Sequence, residues 1–436
     1  MSDGSPSRRA VLRASGVGAG LAVATALGVD RWSSSHTVEV PLYGETVALE
    51  APGSPVVVAV DRQDDVVPGT RVLRSAPAAA QLVEAERTWM AASPAWVLAD
   101  DRWGRLARAA LLDLRVLTLP GGEHVAGWSS SWRYVWPRDS SHAAAAFAAT
   151  GHVAEARRIA LFLADIQRVD GWFEARYRPD GSGPPDERWR QLDGTGWALW
   201  TAATAVTGTP GNAGLVLAET LRPMVQRGVR LVLDLTADGG RLPAPSPDYW
   251  ELPERRVTLG TAAPLVVGMH SAAVVFSRLD LAAPAERATA TAVSLAQVVE
   301  AAYGPQGYPR HLGADDPDAA IAFLAPPYVA SAPAGLADAV ARSERLMRRP
   351  AGGVAPGVGW KDDGISWTPE TALIGLAHAG CGRESEAYRV LGWLDDHRTK
   401  AGSFPEKVLW DGRPASVAPL GWTAALVLLT LAHLRG

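Results

Sequence analysis

The sequence predicts an all-α protein, an (α/α)6 barrel of helical hairpins with a short N-terminal β-rich segment. Three observations lead there. After residue 77, apolar residues recur at three- and four-residue spacing in about twelve segments. Two of the resulting hairpins look like copies of one unit. Strand-like alternation is confined to a short stretch before residue 76.

Residues 1–30 read as an address. Arg8 and Arg9 stand before a Gly/Ala-rich apolar run from Ala14 to Gly28, which ends near the small-x-small site Ala24-Thr25-Ala26. This is the layout of a twin-arginine signal. The expected partner is therefore the twin-arginine export machinery, and the expected location is the cell envelope or the exterior. The run is too short and too rich in glycine for a bilayer span. The plain alternative is a disordered tail. Cys381 is the single cysteine, so the chain forms no intramolecular disulfide and no thiolate metal site.

Residues 31–76 form the β-rich segment. Val38, Val40 and Leu42 alternate with polar or turn residues, and Pro55 precedes an apolar run from Val56 to Val60. Two to four strands are expected, ending near Leu73. Residues 77–436 carry the helices, expected at 79–92, 102–116, 139–150, 153–167, 191–207, 213–235, 264–280, 284–302, 333–347, 368–379, 384–397 and 420–434. Loops rich in Gly, Pro, Asp and Trp separate them, notably 119–138, 168–190, 236–262, 303–317 and 348–367.

The repeat lies in two of these hairpins. Gly151, Glu155, Ala156, Arg158, Leu163 and Asp165 reappear as Gly382, Glu386, Ala387, Arg389, Leu394 and Asp396, all at one offset. Repeated hairpins that close on themselves give a ring, and twelve helices give six hairpins. In such a ring the helices are scaffold and the long loops at one end supply the site.

Composition narrows the function. A formal net charge of -4, without a basic stripe, argues against a nucleic-acid partner. Trp is abundant, with 17 copies against 6 Phe and 8 Tyr. An indole offers a flat apolar face and one N–H donor, which suits the apolar C–H face and hydroxyl edge of a sugar. The bland reading is that most of these Trp are core.

Five loops could carry chemistry. The loop from Trp132 to Asp139 is dense in Trp and Tyr and ends in Arg138-Asp139, an adjacent donor and acceptor at a helix start, suited to neighbouring sugar hydroxyls; Asp139 is otherwise an N-cap. Asp193 opens the next candidate, Gln191 to Trp197, either capping a helix or lining the mouth. In Asp248-Tyr249-Trp250-Glu251, a carboxyl follows two aromatics, where lost solvation disfavours the ionised form, as a general acid requires. Glu406, in Gly402-Ser403-Phe404-Pro405-Glu406, is a candidate second carboxylate. Trp360 and Trp367 flank Lys361, Asp362 and Asp363 and could form stacking walls.

In this order, from about Val125 onward, these pieces resemble the glucoamylase-like glycoside hydrolases of family 15, which include glucodextranases and some trehalases. Trp136-Pro137-Arg138-Asp139-Ser140 resembles the family's W-x-R-D-S element, whose Arg and Asp grip the terminal glucose. Asp248 to Glu251 is similar to its D-x-W-E element, whose Glu is the general acid. Gly402 to Glu406 is similar to the bacterial G-x-x-P-E element, whose Glu is the general base. The resemblance implies an (α/α)6 barrel and an inverting, exo-acting hydrolase that releases glucose from α-linked gluco-oligosaccharides or glucans. It implies Glu251 as acid and Glu406 as base, with Trp136, Arg138, Asp139, Asp193, Tyr249, Trp250, Trp360 and Trp367 around the sugar. No metal or cofactor is required, and a monomer is expected. There are departures. Leu252-Pro253 separate Glu251 from Glu254, where many members have adjacent acids. Lys407 stands where Gln is common. The short N-terminal segment replaces a large β-domain, which would leave the rim more open. The alternatives are a carbohydrate-binding pseudoenzyme on the same fold, another toroid enzyme such as a polysaccharide lyase or a terpene cyclase, and a non-catalytic envelope interaction protein.

Overall fold

Burial sorts the helices of the computed structural model into two classes. The structure describes residues 37–436, so the Arg8-Arg9 segment lies outside the described residues. The strands β1 (Thr46–Ala51) and β2 (Ser54–Val58) form an antiparallel hairpin in which Thr46 pairs with Val58. There follow α1 (Ala79–Met90), the single turn α2 (Ala95–Leu98), α3 (Arg102–Leu117), α4 (Pro137–Ala149), α5 (Val153–Ile166), α6 (Asp193–Gly208) and α7 (Gly211–Thr236). Then come α8 (Leu259–Arg278), α9 (Ala282–Tyr303), α10 (Leu336–Met347), the two-residue strand β3 (Ser366–Trp367), α11 (Thr368–Gly380) and α12 (Glu384–Asp396). The strands β4 (Lys407–Val408) and β5 (Pro414–Ala415) and the helix α13 (Gly421–Arg435) end the chain.

Helices α4, α6, α8, α11 and α13 are buried on almost every side, whereas α3, α5, α7, α9, α10 and α12 bury one face. A helix apolar all round belongs inside, and an amphipathic one outside. The packing follows. The inner elements touch in sequence: α4 on α6, α6 on α8, α8 on the 3-10 helix Ala319–Leu324, that turn on α11, α11 on α13, and α13 back on α4. This closes the ring, and the six amphipathic helices surround it.

The expected total of twelve ring elements holds, with one exchange. The predicted helix at 79–92 exists, but it packs on β1 and is not part of the ring. The sixth inner element is the 3-10 helix Ala319–Leu324, which is too short to display a helical period. The N-terminal segment also differs from expectation. Residues 38–42 are not strand apart from one bridge between Leu42 and Ser416, and β2 ends at Val58.

The two repeat copies are inner-to-outer hairpins, α4–α5 and α11–α12. Gly151 and Gly382 turn the chain between their helices at φ +81 and +73, conformations that suit glycine. The inward faces also match: Ala156, Ile159, Ala160 and Leu163 are buried in one copy, Ala387, Val390, Leu391 and Leu394 in the other. Close inner packing depends on small residues. A Cβ on Gly196 of α6 would lie 2.1 Å from the Pro264 carbonyl oxygen of α8, and one on Gly268 would lie 2.8 Å from the Gly196 Cα.

Candidate functional site

The inner helices all begin at the same end of the ring. Their first turns and the loops before them enclose a cavity of about 400 Å³. Trp136, Arg138, Asp139, Tyr249, Trp250, Glu251, Trp360, Trp367 and Glu406 line it, so nine of the ten candidates meet in one place.

Arg138 and Asp139 sit in the first turn of α4. Pro137 at the helix start fixes the backbone, and the capping position is Trp136, so Asp139 is not an N-cap. Arg138 Nη2 donates to Asp139 Oδ2 at 3.0 Å, and its guanidinium lies 4.7 Å from the centre of the Trp422 ring. Burial pushes the Asp139 carboxyl up, against the pull of Arg138. Arg138 Nε and Nη1 are buried without hydrogen-bond partners, as are the indole nitrogens of Trp250, Trp360, Trp367 and Trp422. Five side chains on one cavity therefore hold unspent donors, and buried donors ordinarily find acceptors.

Asp193 is the tenth candidate, and the structure corrects it. It is 1% exposed in the first turn of α6, one layer below the cavity. It accepts from Trp197 Nε1 at 3.2 Å and lies 4.0 Å from Arg138 Nη1. It therefore supports Arg138 from behind instead of lining the mouth, and it does not cap its helix. Burial raises its pKa to about 7.

Glu251 ends a tightly fixed turn. Its backbone N–H donates to Asp248 O at 2.8 Å, and its φ is +58, a left-handed value uncommon for a side-chain-bearing residue. Asp248 is held by Thr258 Oγ1 at 2.7 Å and by Arg310 Nη2 at 2.8 Å. Arg310 also binds Glu254 and Asp318, and it stacks 3.9 Å from the centre of the Trp250 ring. Tyr249 donates to Asp318 Oδ1 at 2.5 Å. Glu254 thus serves the scaffold, pairing with Arg310 and His311. The side chain of Glu251 is not wrapped by apolar rings as the sequence suggested. One oxygen accepts from Trp136 Nε1, and the other is paired with Arg188. Both partners are donors, so a proton can sit on Glu251 only where one of them gives way.

Glu406 precedes β4 in a three-stranded sheet ordered β3-β4-β5. Its Oε1 accepts from Trp132 Nε1 at 3.0 Å, and its Oε2 accepts from Ser416 Oγ at 2.7 Å, with Lys407 Nζ 3.3 Å away. The N-terminal segment supports both hydrogen-bonding partners, so it does more than leave an open rim. Ser416 N donates to Pro41 O, Tyr43 N donates to Ser416 O, and the Tyr43 ring packs on Trp132 at 5.7 Å. Beneath the loop, Ser403 Oγ donates to Asp113 Oδ1 at 2.8 Å, and Arg71 pairs with that carboxylate at 2.6 Å.

Trp250, Trp360 and Trp367 form one wall. The Trp360 ring meets the other two edge-on, at 4.9 and 5.4 Å. Asp363 forms a local turn, accepting from Ile365 N, and Asp362 is exposed. Trp132, at the head of the first candidate loop, also reaches the cavity, and sequence reasoning missed Arg176, Arg188, Glu370 and Trp422 there. Glu370 and Trp422 begin α11 and α13, so the signal was their place in the first turn of an inner helix.

Solved structures share this architecture. The fold is that of glucoamylases. A bacterial glucoamylase complexed with acarbose superposes at a TM-score of 0.64, with 16% identity over 79% of this chain and 57% of that one. The glucoamylase from Saccharomycopsis fibuligera gives 0.58, with 13% identity over 80% and 95%. A glycosidase variant in complex with glucose gives 0.66, with 22% identity over 76% and 97%. No family model and no curated protein matches the sequence. On the glucoamylase fold, then, this chain carries two glutamates, an Arg-Asp pair and a tryptophan wall around one cavity.

Proposed function

We propose that the protein is an inverting, exo-acting glycoside hydrolase that releases glucose from α-linked gluco-oligosaccharides or glucans. One observation carries the reading. Glu251 and Glu406 come from separate loops to one cavity, each oriented through both oxygens, above an Arg-Asp pair and beside a tryptophan wall.

In this reading Glu251 is the general acid and donates its proton to the glycosidic oxygen. Glu406 is the general base and takes a proton from the attacking water. Ser416 and Trp132 hold its carboxylate toward one position, which limits the reorganisation needed at the moment of reaction. Inversion requires room for that water, so the carboxyls of such enzymes stand roughly 6.5–9.5 Å apart. Arg138 and Asp139 hold the terminal sugar, with Asp193 fixing the guanidinium. Export through the N-terminal twin-arginine segment and action as a monomer complete the proposal.

Glucose release from maltose, isomaltose, dextran, starch and trehalose tests it, with Glu251→Gln and Glu406→Gln beside wild type. General acid or base removal should cost about 10²–10⁴ in kcat. Silence on all five glucans and disaccharides sinks the substrate class. Activity surviving in either variant sinks the assigned pair.

A further inference from the structure

The cavity holds a third glutamate that the acid–base pair does not use. Glu370 stands in the first turn of α11, is 4% exposed, and lines the cavity. Its Oε2 is buried with no hydrogen-bond partner. The contrast with Glu251 and Glu406 is chemical, since both oxygens of each of those are engaged by protein donors. A buried carboxyl oxygen left unpaired is costly, and native structures keep such groups where something else completes them. The neighbours of Glu370 do not do so. Arg138 is turned to Asp139, and Glu406 to Trp132 and Ser416.

Resting on the reading of this cavity as a sugar site, we propose that Glu370 is a specificity-determining residue whose carboxyl hydrogen-bonds one hydroxyl of the sugar held by Arg138 and Asp139. Its surroundings set the form in which it acts. Burial, chiefly, and the charges of Glu406 and Asp318 push its pKa up to about 8, with Arg138 opposing. At neutral pH it is a carboxylic acid, which donates through its O–H and accepts through its other oxygen. A sugar hydroxyl does both as well, so one group can match it twice. An ionised carboxylate could only accept, and it would add a further negative charge beside Glu406.

This assigns Glu370 a role that glutamine can fill and an apolar side chain of similar length cannot. The test is a titration of intrinsic tryptophan fluorescence with glucose, its monodeoxy analogues and maltose. Wild type, Glu370→Gln and Glu370→Met are compared, with kcat/KM on maltose and melting temperature beside them. The Gln variant should bind glucose within about three-fold of wild type, and the Met variant roughly ten-fold more weakly. One monodeoxy-glucose should bind wild type about ten-fold more weakly than glucose does, and that discrimination should vanish in the Met variant. Three outcomes overturn the proposal: a Met variant that binds like wild type, a folded Gln variant no better than Met, or a wild type that binds none of these sugars. A wild type that binds glucose but cleaves nothing overturns the hydrolase reading and leaves Glu370 decided by the titration alone.

Discussion

At the scale of single residues, the site is built from carboxylates whose partners differ. Glu406 has three polar neighbours, and the shortest contact is with Ser416 at 2.7 Å. Replacing Ser416 with Ala removes one hydrogen bond to a charged group, worth roughly 1.5–3 kcal/mol, which corresponds to about ten- to a hundred-fold if the bond is needed in the transition state. The expected result is a fall in kcat of that order with little change in melting temperature. Steady-state kinetics with an unchanged rate would remove Ser416 from the positioning of the base. The buried carboxyls carry a pH signature as well. Asp193 is raised from 3.8 to about 7, and Glu370 from 4.5 to about 8. A raised pKa means that the folded chain holds more protons than the unfolded one between those values. The stability from these two groups is therefore full below their unfolded pKa values and is lost as pH rises through about 7 and 8. Melting curves from pH 5 to pH 8 should show Asp193→Asn gaining on wild type as the pH rises. A constant gap across that range would contradict the assignment.

At the scale of elements, the inner helices decide what the loops can do. Their small residues let them approach closely, and α6 on α8 is the tightest case. Gly196→Ala would place a Cβ 2.1 Å from a backbone oxygen, so the helices must separate. Overpacking of this kind costs typically 1–3 kcal/mol, read as a lower denaturant midpoint. Beneath Glu406, Arg71 and Asp113 make an ion pair that is almost wholly buried. Arg71→Ala should cost roughly 3–5 kcal/mol and lower kcat too, because Asp113, which holds Ser403, is left buried without its charge partner. Stability lost with kcat intact would uncouple this network from the site. The same scale explains what was legible in the sequence. The long helices were readable because their spacing is strong, and the repeat was readable because its inward faces share one register. The motif loops were readable because several chemical residues stand together in each. The 3-10 helix at Ala319–Leu324 was not, since six residues show no period. Arg188 was missed because its contact with Glu251 spans 63 positions in the chain. The environment of Glu251 was misjudged for the same reason, since its neighbours in sequence are aromatic and its neighbour in space is a guanidinium. Asp193 was placed in the right region and one layer too high.

At the scale of the whole molecule, closure of the ring brings the starts of α4, α11 and α13 and the loops before α6 and α8 to one cavity. α13 meets both α11 and α4, so the last helix joins the first hairpin of the ring to its last. The short N-terminal segment reaches the same end and braces Trp132 and Ser416. Tyr43→Ala should therefore lower kcat several-fold although Tyr43 does not line the cavity, with KM little changed. A change confined to KM would place Tyr43 among the substrate contacts instead. The central claim is that Glu251 and Glu406 act as an inverting pair, and the initial product anomer tests it most directly. Proton NMR during the first minutes of maltose or dextran cleavage separates α- from β-glucose before mutarotation mixes them. The account predicts β-glucose from an α-linked substrate. Initial release of α-glucose would mean retention and a covalent intermediate, and would contradict it.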